Sequence, residues 1–404
     1  MTGTTVSNRG FIGGLWHGAF LATAMAFANV TVVVPAFVAE LTGSAVWVGG
    51  LAALIAVSSA GPQVLVARFV EPMARKRPVL LAAIYLRAFA WASLAGLVLL
   101  AGDRYPQVVL AGLVGLIGLF ALGGALGGVP YTDIVGKVIP SNRRGAFFAS
   151  RQAIGSLLGL AAAGVSRLVL ARPYPENFAT LFLLSAIALV VASLGFWVIQ
   201  EPESPRTGAP PPWREYLASL KEPFLALRSM AMVNWFTGLA WLAVPFYVVA
   251  ARHDFAISDE ATAWFVGASV AGALLGNLAW GWIVDRHGSR QMVLACVLLS
   301  AATPLVALLA SAVGWQVLVL ATGMAGATAA GRSVGYPAAV LDLAPASRRS
   351  SYAGTYAFLS LPVALMPLVG GGIARASSYQ TLFGVTAAGL AAAVGVVAWW
   401  WRRG

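Results

Sequence analysis

Two arginines stand where arginines are rare. Arg332 lies in the apolar run 315–341 and Arg87 in the run 79–101. A guanidinium stays charged and offers five donors in a fixed fork, so it recognises carboxylates, phosphates or other acceptor-rich groups. Ionisable side chains inside long apolar runs are costly and are functional candidates by default. Arg332 sits about nine residues from the end of its run, roughly 13 Å at 1.5 Å per residue, and snorkelling shortens that distance to the interface. A structural ion pair or a packing role competes with ligand binding at Arg332. At Arg87 snorkelling or internal pairing is the simpler reading. His17, near one end of the first apolar run, carries a ring that can titrate, although a structural hydrogen bond is the simpler reading.

Other chemistry finds little support. His17, His253 and His287 are scattered with no metal-ligand spacing, so no metal, cofactor or enzymatic role is expected. No Gly-x-x-x-x-Gly-Lys-Ser/Thr loop is present, and no Asp or Glu lies near the middle of an apolar run. The lone Cys296 has no partner for a disulfide and sits in an apolar segment, where a core role is expected.

These residues are embedded in a chain that cannot build a watery surface. Of its 404 residues, 59% are hydrophobic and 10% charged, against about 25% charged in soluble domains. Lipid is the remaining solvent, and each crossing takes about 20 apolar residues. Apolar runs predict an all-α membrane protein with spans 1 to 6 near 11–38, 45–70, 79–101, 107–132, 147–171 and 178–200. Spans 7 to 12 are expected near 226–250, 260–284, 291–311, 315–341, 351–374 and 380–401. Between the sets lies a polar stretch with five prolines in residues 201–216, read as a linker (201–225) with an interfacial helix at about 213–222. The halves are then 1–200 and 226–404.

The excess of 26 Lys and Arg over 14 Asp and Glu is explained by topology, not by nucleic acid. With the N-terminus cytoplasmic, 19 basic residues fall in inside segments, among them Arg68, Arg75, Lys76, Arg77, Lys137, Arg143, Arg144 and Arg151. Only Arg104, Arg167, Arg172, Arg252 and Arg375 fall outside. This bias follows the rule that cytoplasmic loops gather Lys and Arg. Both termini are therefore expected in the cytoplasm, with the chain crossing a cell membrane many times, as in a bacterial inner membrane.

The halves also echo one another. Val34-Pro35-Ala36-Phe37-Val38 in span 1 has a counterpart in Val244-Pro245-Phe246-Tyr247-Val248 of span 7. Ile139-Pro140-Ser141-Asn142-Arg143-Arg144-Gly145 after span 4 matches Ala344-Pro345-Ala346-Ser347-Arg348-Arg349-Ser350 after span 10. Between spans 8 and 9 stands Gly281-Trp-Ile-Val-Asp285-Arg286-His-Gly288-Ser-Arg290, while the loop after span 2 carries a degenerate copy with Glu71, Arg75 and Lys76. Glycines permit a tight turn and close helix approach, and an acid there can face the positive end of a neighbouring helix.

With its even position in the span order, this loop resembles the signature loop of the major facilitator superfamily (MFS). The resemblance implies two pseudo-symmetric six-helix bundles that alternate access to a midplane site. It also implies that Gly281, Asp285, Arg286, Gly288 and Arg290 latch one conformation, with Glu71, Arg75 and Lys76 as the partial first-half latch. Asp133 and Asp342 are possible partners in those networks. Spans 1, 4, 7 and 10 would line a central cavity, which makes Asn29, Tyr131, Asn234, Trp235, Trp241, Arg332 and Tyr336 candidates to face the substrate. Gln63, Gln152, Asn277 and Tyr356, in spans 2, 5, 8 and 11, form a secondary set. Each of these is also explained by an interhelical hydrogen bond or an interfacial ring. Eight residues of span 4, including Gly112, Gly115, Gly118, Gly123 and Gly127, read as close helix packing or as a hinge. Pro35, Pro245, Pro362 and Pro367 are expected at kinks.

The expected function is secondary active transport of a small molecule, anionic or amphipathic, by export or uptake, with lipid as surroundings and a coupling ion as a possible second partner. Two other classes compete: a non-transporting membrane sensor or assembly protein on the same fold, and a polytopic lipid-modifying enzyme. The scattered histidines speak against the enzyme, and the short loops speak mildly against the sensor.

Overall fold

Helices that are apolar on every side must be covered by other helices or by lipid, and here both happen. The computed structural model describes residues 8–102, 104–140, 143–203, 209–287, 289–345 and 348–403. Span 1 is Asn8–Phe27 continued by Val33–Thr42, and span 2 is Ala45–Ala60 continued by Gln63–Val70. Spans 3 to 6 are Arg77–Ala101, Pro106–Val138, Arg144–Leu170 and Glu176–Val198. The short helix Trp213–Ser219 follows. Span 7 runs as Lys221–Gly238, two tight 3-10 turns (Leu239–Leu242 and Val244–Phe246) and Tyr247–Phe255. Spans 8, 9 and 10 are Asp259–His287, Ser289–Leu308 and Gln316–Leu343. Span 11 is split into Arg349–Leu359, Leu361–Ala364 and Met366–Ala376, and span 12 is Tyr379–Arg403.

Among the described residues, nine helical stretches are long and apolar enough to cross a membrane, and the bent pair Ser351–Leu359 and Leu361–Ala376 makes a tenth. Gln316–Leu343 and Tyr379–Arg403 complete the twelve. Leu100, Leu168 and Leu275 lie open on the outer surface, as lipid-facing residues do. The expectation of twelve spans on an all-α plan is met.

The kinks fall where proline removes a donor. Pro362 and Pro367 open the second and third pieces of span 11, and the helix turns by 46° at the first break. Pro245 lies in the 3-10 part of span 7. Span 4 differs from the hinge reading, since Pro106–Val138 is continuous across Pro130. Its glycines serve packing: added side-chain atoms at Gly112, Gly123 and Gly127 would meet Leu97, Arg87 and Ala83 of span 3.

The first half is closed by an aromatic core in which Trp91 stacks on Phe182 at 5.1 Å and Phe182 meets Phe37 at 5.4 Å. In the second half spans 8 and 10 touch through their backbones. A Cβ on Gly272 would fall 1.8 Å from the Gly323 carbonyl, and one on Gly276 would fall 2.8 Å from Ala327 Cα. Between halves, span 2 runs along span 11 and span 5 along span 8. Gly49 meets the Pro367 carbonyl, Gly354 meets Val64, and Gly159 meets Val270.

Candidate functional site

The helix breaks of spans 1 and 7 create the candidate site. In span 1 the Asn29 Oδ1 accepts from the Thr31 backbone N–H at 2.9 Å and from the Thr31 hydroxyl at 2.8 Å. Asn29 thus shapes the turn that interrupts the helix, as short amides do. In span 7 the tight turns carry Trp241. Between these breaks lies a small pocket lined by Thr31, Trp241, Ser269, Ser300, Thr328 and Arg332, with Ala240, Val244, Ala325 and Gly326 supplying apolar wall. Interrupted helices tolerate loosened backbone at membrane depth only where protein or a cavity surrounds it.

Arg332 is held by span 7. Its Nη1 donates to Thr237 Oγ1 at 2.7 Å and its Nη2 to Asn234 Oδ1 at 2.5 Å. The Asn234 amide then donates to Ser360 of span 11 at 2.9 Å. These two acceptors for Arg332 are neutral oxygens on span 7.

Of the cavity candidates, Trp241 and Arg332 line the pocket and Asn234 orients Arg332. Trp235 turns away: it is 40% exposed and donates to the Leu359 carbonyl at 2.5 Å. Tyr131 lies in the first half beside His17, 6.0 Å between ring centroids. In the secondary set, Gln63 donates to Ser59 within its own span at 2.8 Å, and Gln152 and Tyr356 are half-buried. Asn277 is different, for neither its amide oxygen nor its nitrogen has a hydrogen-bond partner. Tyr336, Asp285, Gly288, Arg290 and Asp342 lie outside the described side chains. The pocket hydroxyls of Thr31, Ser269, Ser300 and Thr328 escaped the sequence reading. Such residues usually bond their own helix, as Thr328 does to Ala325 at 2.9 Å, and leave no signature.

Polar contacts join the halves at both ends of the molecule. On the face that carries helix Trp213–Ser219, here the linker face, Ser351 of span 11 donates to Glu71 at the end of span 2 at 2.8 Å. Burial pushes the Glu71 carboxyl above its ordinary 4.5, against the lowering effect of the Ser351 bond and of Lys76 and Arg348. Beside it the Tyr216 hydroxyl donates to the Val64 carbonyl at 2.6 Å, and burial with the Glu71 charge pushes that phenol up to about 12. On the opposite face Arg252 of span 7 donates to Glu40 of span 1 at 2.5 Å and also to Asp259. Arg167 of span 5 meets Glu260 of span 8 at 2.7 Å.

The first-half loop is held by a charge network. Lys76 pairs with Asp133 at 2.9 Å, Lys137 with Asp133 and Glu201 at 2.8 Å each, and Arg75 with Glu203 at 3.0 Å. Glu201, 1% exposed, also accepts the backbone N–H groups of Lys76 and Arg77, capping span 3. Of the second-half loop, Arg286 is exposed over the Trp282 ring and Gly281 faces open space. Among the described residues no three His, Cys, Asp or Glu side chains could hold a metal ion.

Twelve spans enclose a polar pocket between interrupted helices, and comparison with known proteins places this fold. The model of the Major Facilitator Superfamily matches residues 230–404. No curated protein matches the chain in sequence. Among solved structures, a peptide-bound POT family transporter is similar over 98% of this chain and 96% of its own, at TM-score 0.72 and 13% identity. The nucleoside transporter NupG is similar over 97% and 99%, at TM-score 0.69 and 13% identity. A D-xylose-proton symporter is similar over 96% and 95%, at TM-score 0.66 and 14% identity. The resemblance read from the sequence agrees with the family match over residues 230–404, and the whole chain shares its fold with these transporter structures.

Proposed function

We propose that the chain is a secondary active transporter for a small solute with an anionic or acceptor-rich head and a compact apolar body. Arg332 carries this reading: a guanidinium, oriented by Asn234 and Thr237, lines the pocket between the breaks of spans 1 and 7. Its charge attracts a carboxylate or phosphate, and the apolar wall accepts the rest of the solute. The halves 1–200 and 226–404 act as the rocking units, joined by 201–225. Glu71, Arg75 and Lys76 act as a latch on the linker face, and the Asp285–Arg290 loop is proposed as its second-half counterpart.

The charge bias of the loops supports a cytoplasmic linker face and cytoplasmic termini, in a bacterial inner membrane. The lack of a mid-span acid disfavours proton coupling through a buried carboxylate, so coupling to another ion or exchange of anions is the better fit. No bond-making step is part of this reading.

Proteoliposomes loaded or bathed with a panel of radiolabelled organic anions test it. Wild-type protein is expected to move at least one, and Arg332→Gln to abolish that flux while preserving the fold. Flux of neutral amphiphiles only, unchanged in Arg332→Gln, would overturn it.

A further inference from the structure

The first half holds a second set of cations, the half-buried Arg87 and Arg151. Arg151, on span 5, lies against Gly18 of span 1, whose position leaves room for the guanidinium stem: an added Cβ there would fall 2.3 Å from Arg151 Cγ. Its guanidinium sits 5.4 Å from the centre of the Tyr131 ring of span 4. Arg87, on span 3, rests over Phe120 at 4.4 Å and donates weakly to the Met25 sulfur at 3.4 Å. His17 lies among them, its Nδ1 3.3 Å from the Ala192 carbonyl, and both guanidinium charges act on its ring.

Three buried polar atoms in this group have no hydrogen-bond partner: Arg87 Nε, Arg151 Nε and the Tyr131 hydroxyl. Among the described residues no carboxylate pairs with either arginine. Aromatic faces and a thioether only partly replace hydration for a guanidinium. Buried donors left unmade are costly, and buried charge without a counter-charge more so. Arg151 is half-buried, and its Nε is enclosed against span 1 without a hydrogen-bond partner. The stripe of span 5 that bears it continues through Gly155, which meets Ala22, to Gly159, which meets Val270 of the second half. Arg151 therefore lies on the helix face that runs into the seam between the halves.

We infer that the first half contains its own anion-binding site, centred on Arg151 and the Tyr131 hydroxyl, with Arg87 as a second positive charge. Its ligand is a compact carboxylate or phosphate group. This rests on the transport reading for its role, since two anion sites in opposite halves would let anions bridge them or exchange, but its existence does not depend on Arg332.

The test measures thermal unfolding of purified full-length protein in detergent against sodium succinate and sodium phosphate, at ionic strength fixed with sodium chloride. A ligand of the native state raises the midpoint by an amount that grows with the logarithm of one plus the ratio of free ligand concentration to Kd. Arg332→Gln is expected to retain an anion-dependent rise, and adding Arg151→Gln to weaken its apparent affinity about tenfold or more, the effect of losing one strong charge-assisted contact. Arg151→Lys, which keeps the charge, is expected to fall between and guards against a folding defect in the Gln variant. Response to succinate but not phosphate would assign the head as carboxylate, and the reverse as phosphate. Loss of all response in Arg332→Gln alone would overturn the first-half site and leave the Arg332 site standing. A response untouched by Arg332→Gln but removed by Arg151→Gln would do the opposite. No response in wild-type protein to either probe at about 100 times a millimolar Kd would overturn both.

Discussion

Glu71 and Ser351, 280 positions apart, meet at 2.8 Å on the linker face, where the end of span 2 touches the start of span 11. Burial holds the Glu71 carboxyl above its ordinary 4.5 in this closed arrangement. When the halves part, water reaches the carboxyl and its pKa returns toward 4.5. The closed form then binds more protons, so closure strengthens as pH falls through the raised pKa and weakens above it. Lys76, Arg348 and Asp133 modulate the same group. Glu71→Gln is expected to favour closure and remove this pH dependence, read by the distance between spin labels on spans 2 and 11 from pH 4.5 to 8. A pH response that persists in Glu71→Gln would assign it to another group.

The opposite face is held by Arg252, whose side chain is 14% exposed, bridging Glu40 and Asp259. Partly exposed pairs contribute about 0.2–1 kcal/mol each, so the clasp should be reversible. Arg252→Ala is expected to raise labelling of a cysteine placed at residue 31 by a membrane-impermeant reagent severalfold. Unchanged labelling would show that apolar contacts alone seal that face.

Asn234 holds Arg332 with its oxygen and Ser360 with its nitrogen. Asn234→Ala removes an acceptor from the half-buried Arg332 guanidinium, a charged hydrogen bond worth about 1.5–3 kcal/mol, and loosens its orientation. Weakened anion binding with a lower unfolding midpoint is expected, whereas Trp235→Phe, at a ring turned away from the pocket, should leave binding unchanged. Equal losses from both would argue against the positioning role of Asn234.

Close backbone approach makes a sharper stability prediction. Gly272→Ala would place a methyl 1.8 Å from the Gly323 carbonyl, and overpacking of this kind costs about 1–3 kcal/mol or more. Gly115, with nothing within 4 Å of an added Cβ, should accept Ala at no cost or gain about 0.5–1 kcal/mol of helix stability. Thermal unfolding in one detergent compares the two, and similar midpoints would contradict the tight contact of spans 8 and 10.

The spans, the short helix near residue 213, the kinks at Pro245, Pro362 and Pro367, and the position of Arg332 in a membrane helix were all legible in the amino-acid order. Lipid imposes one rule on every residue of a span, so hydropathy and punctuation reveal spans without tertiary information. Which polar side chain faces which was not legible, because rotation of a helix that is apolar all round is set by its neighbours. Asn29 reads like a ligand contact, and its side chain also accepts from Thr31 within the break of span 1. Trp235 and Trp241 stand six residues apart, yet one bonds span 11 and the other lines the pocket. Arg151 counts as a loop charge by position, but the helix begins at Arg144 and the packing of Gly18 draws the guanidinium under span 1. Hydropathy therefore determined how many times this chain crosses the membrane, and the close contacts of small residues decided where its buried charges meet.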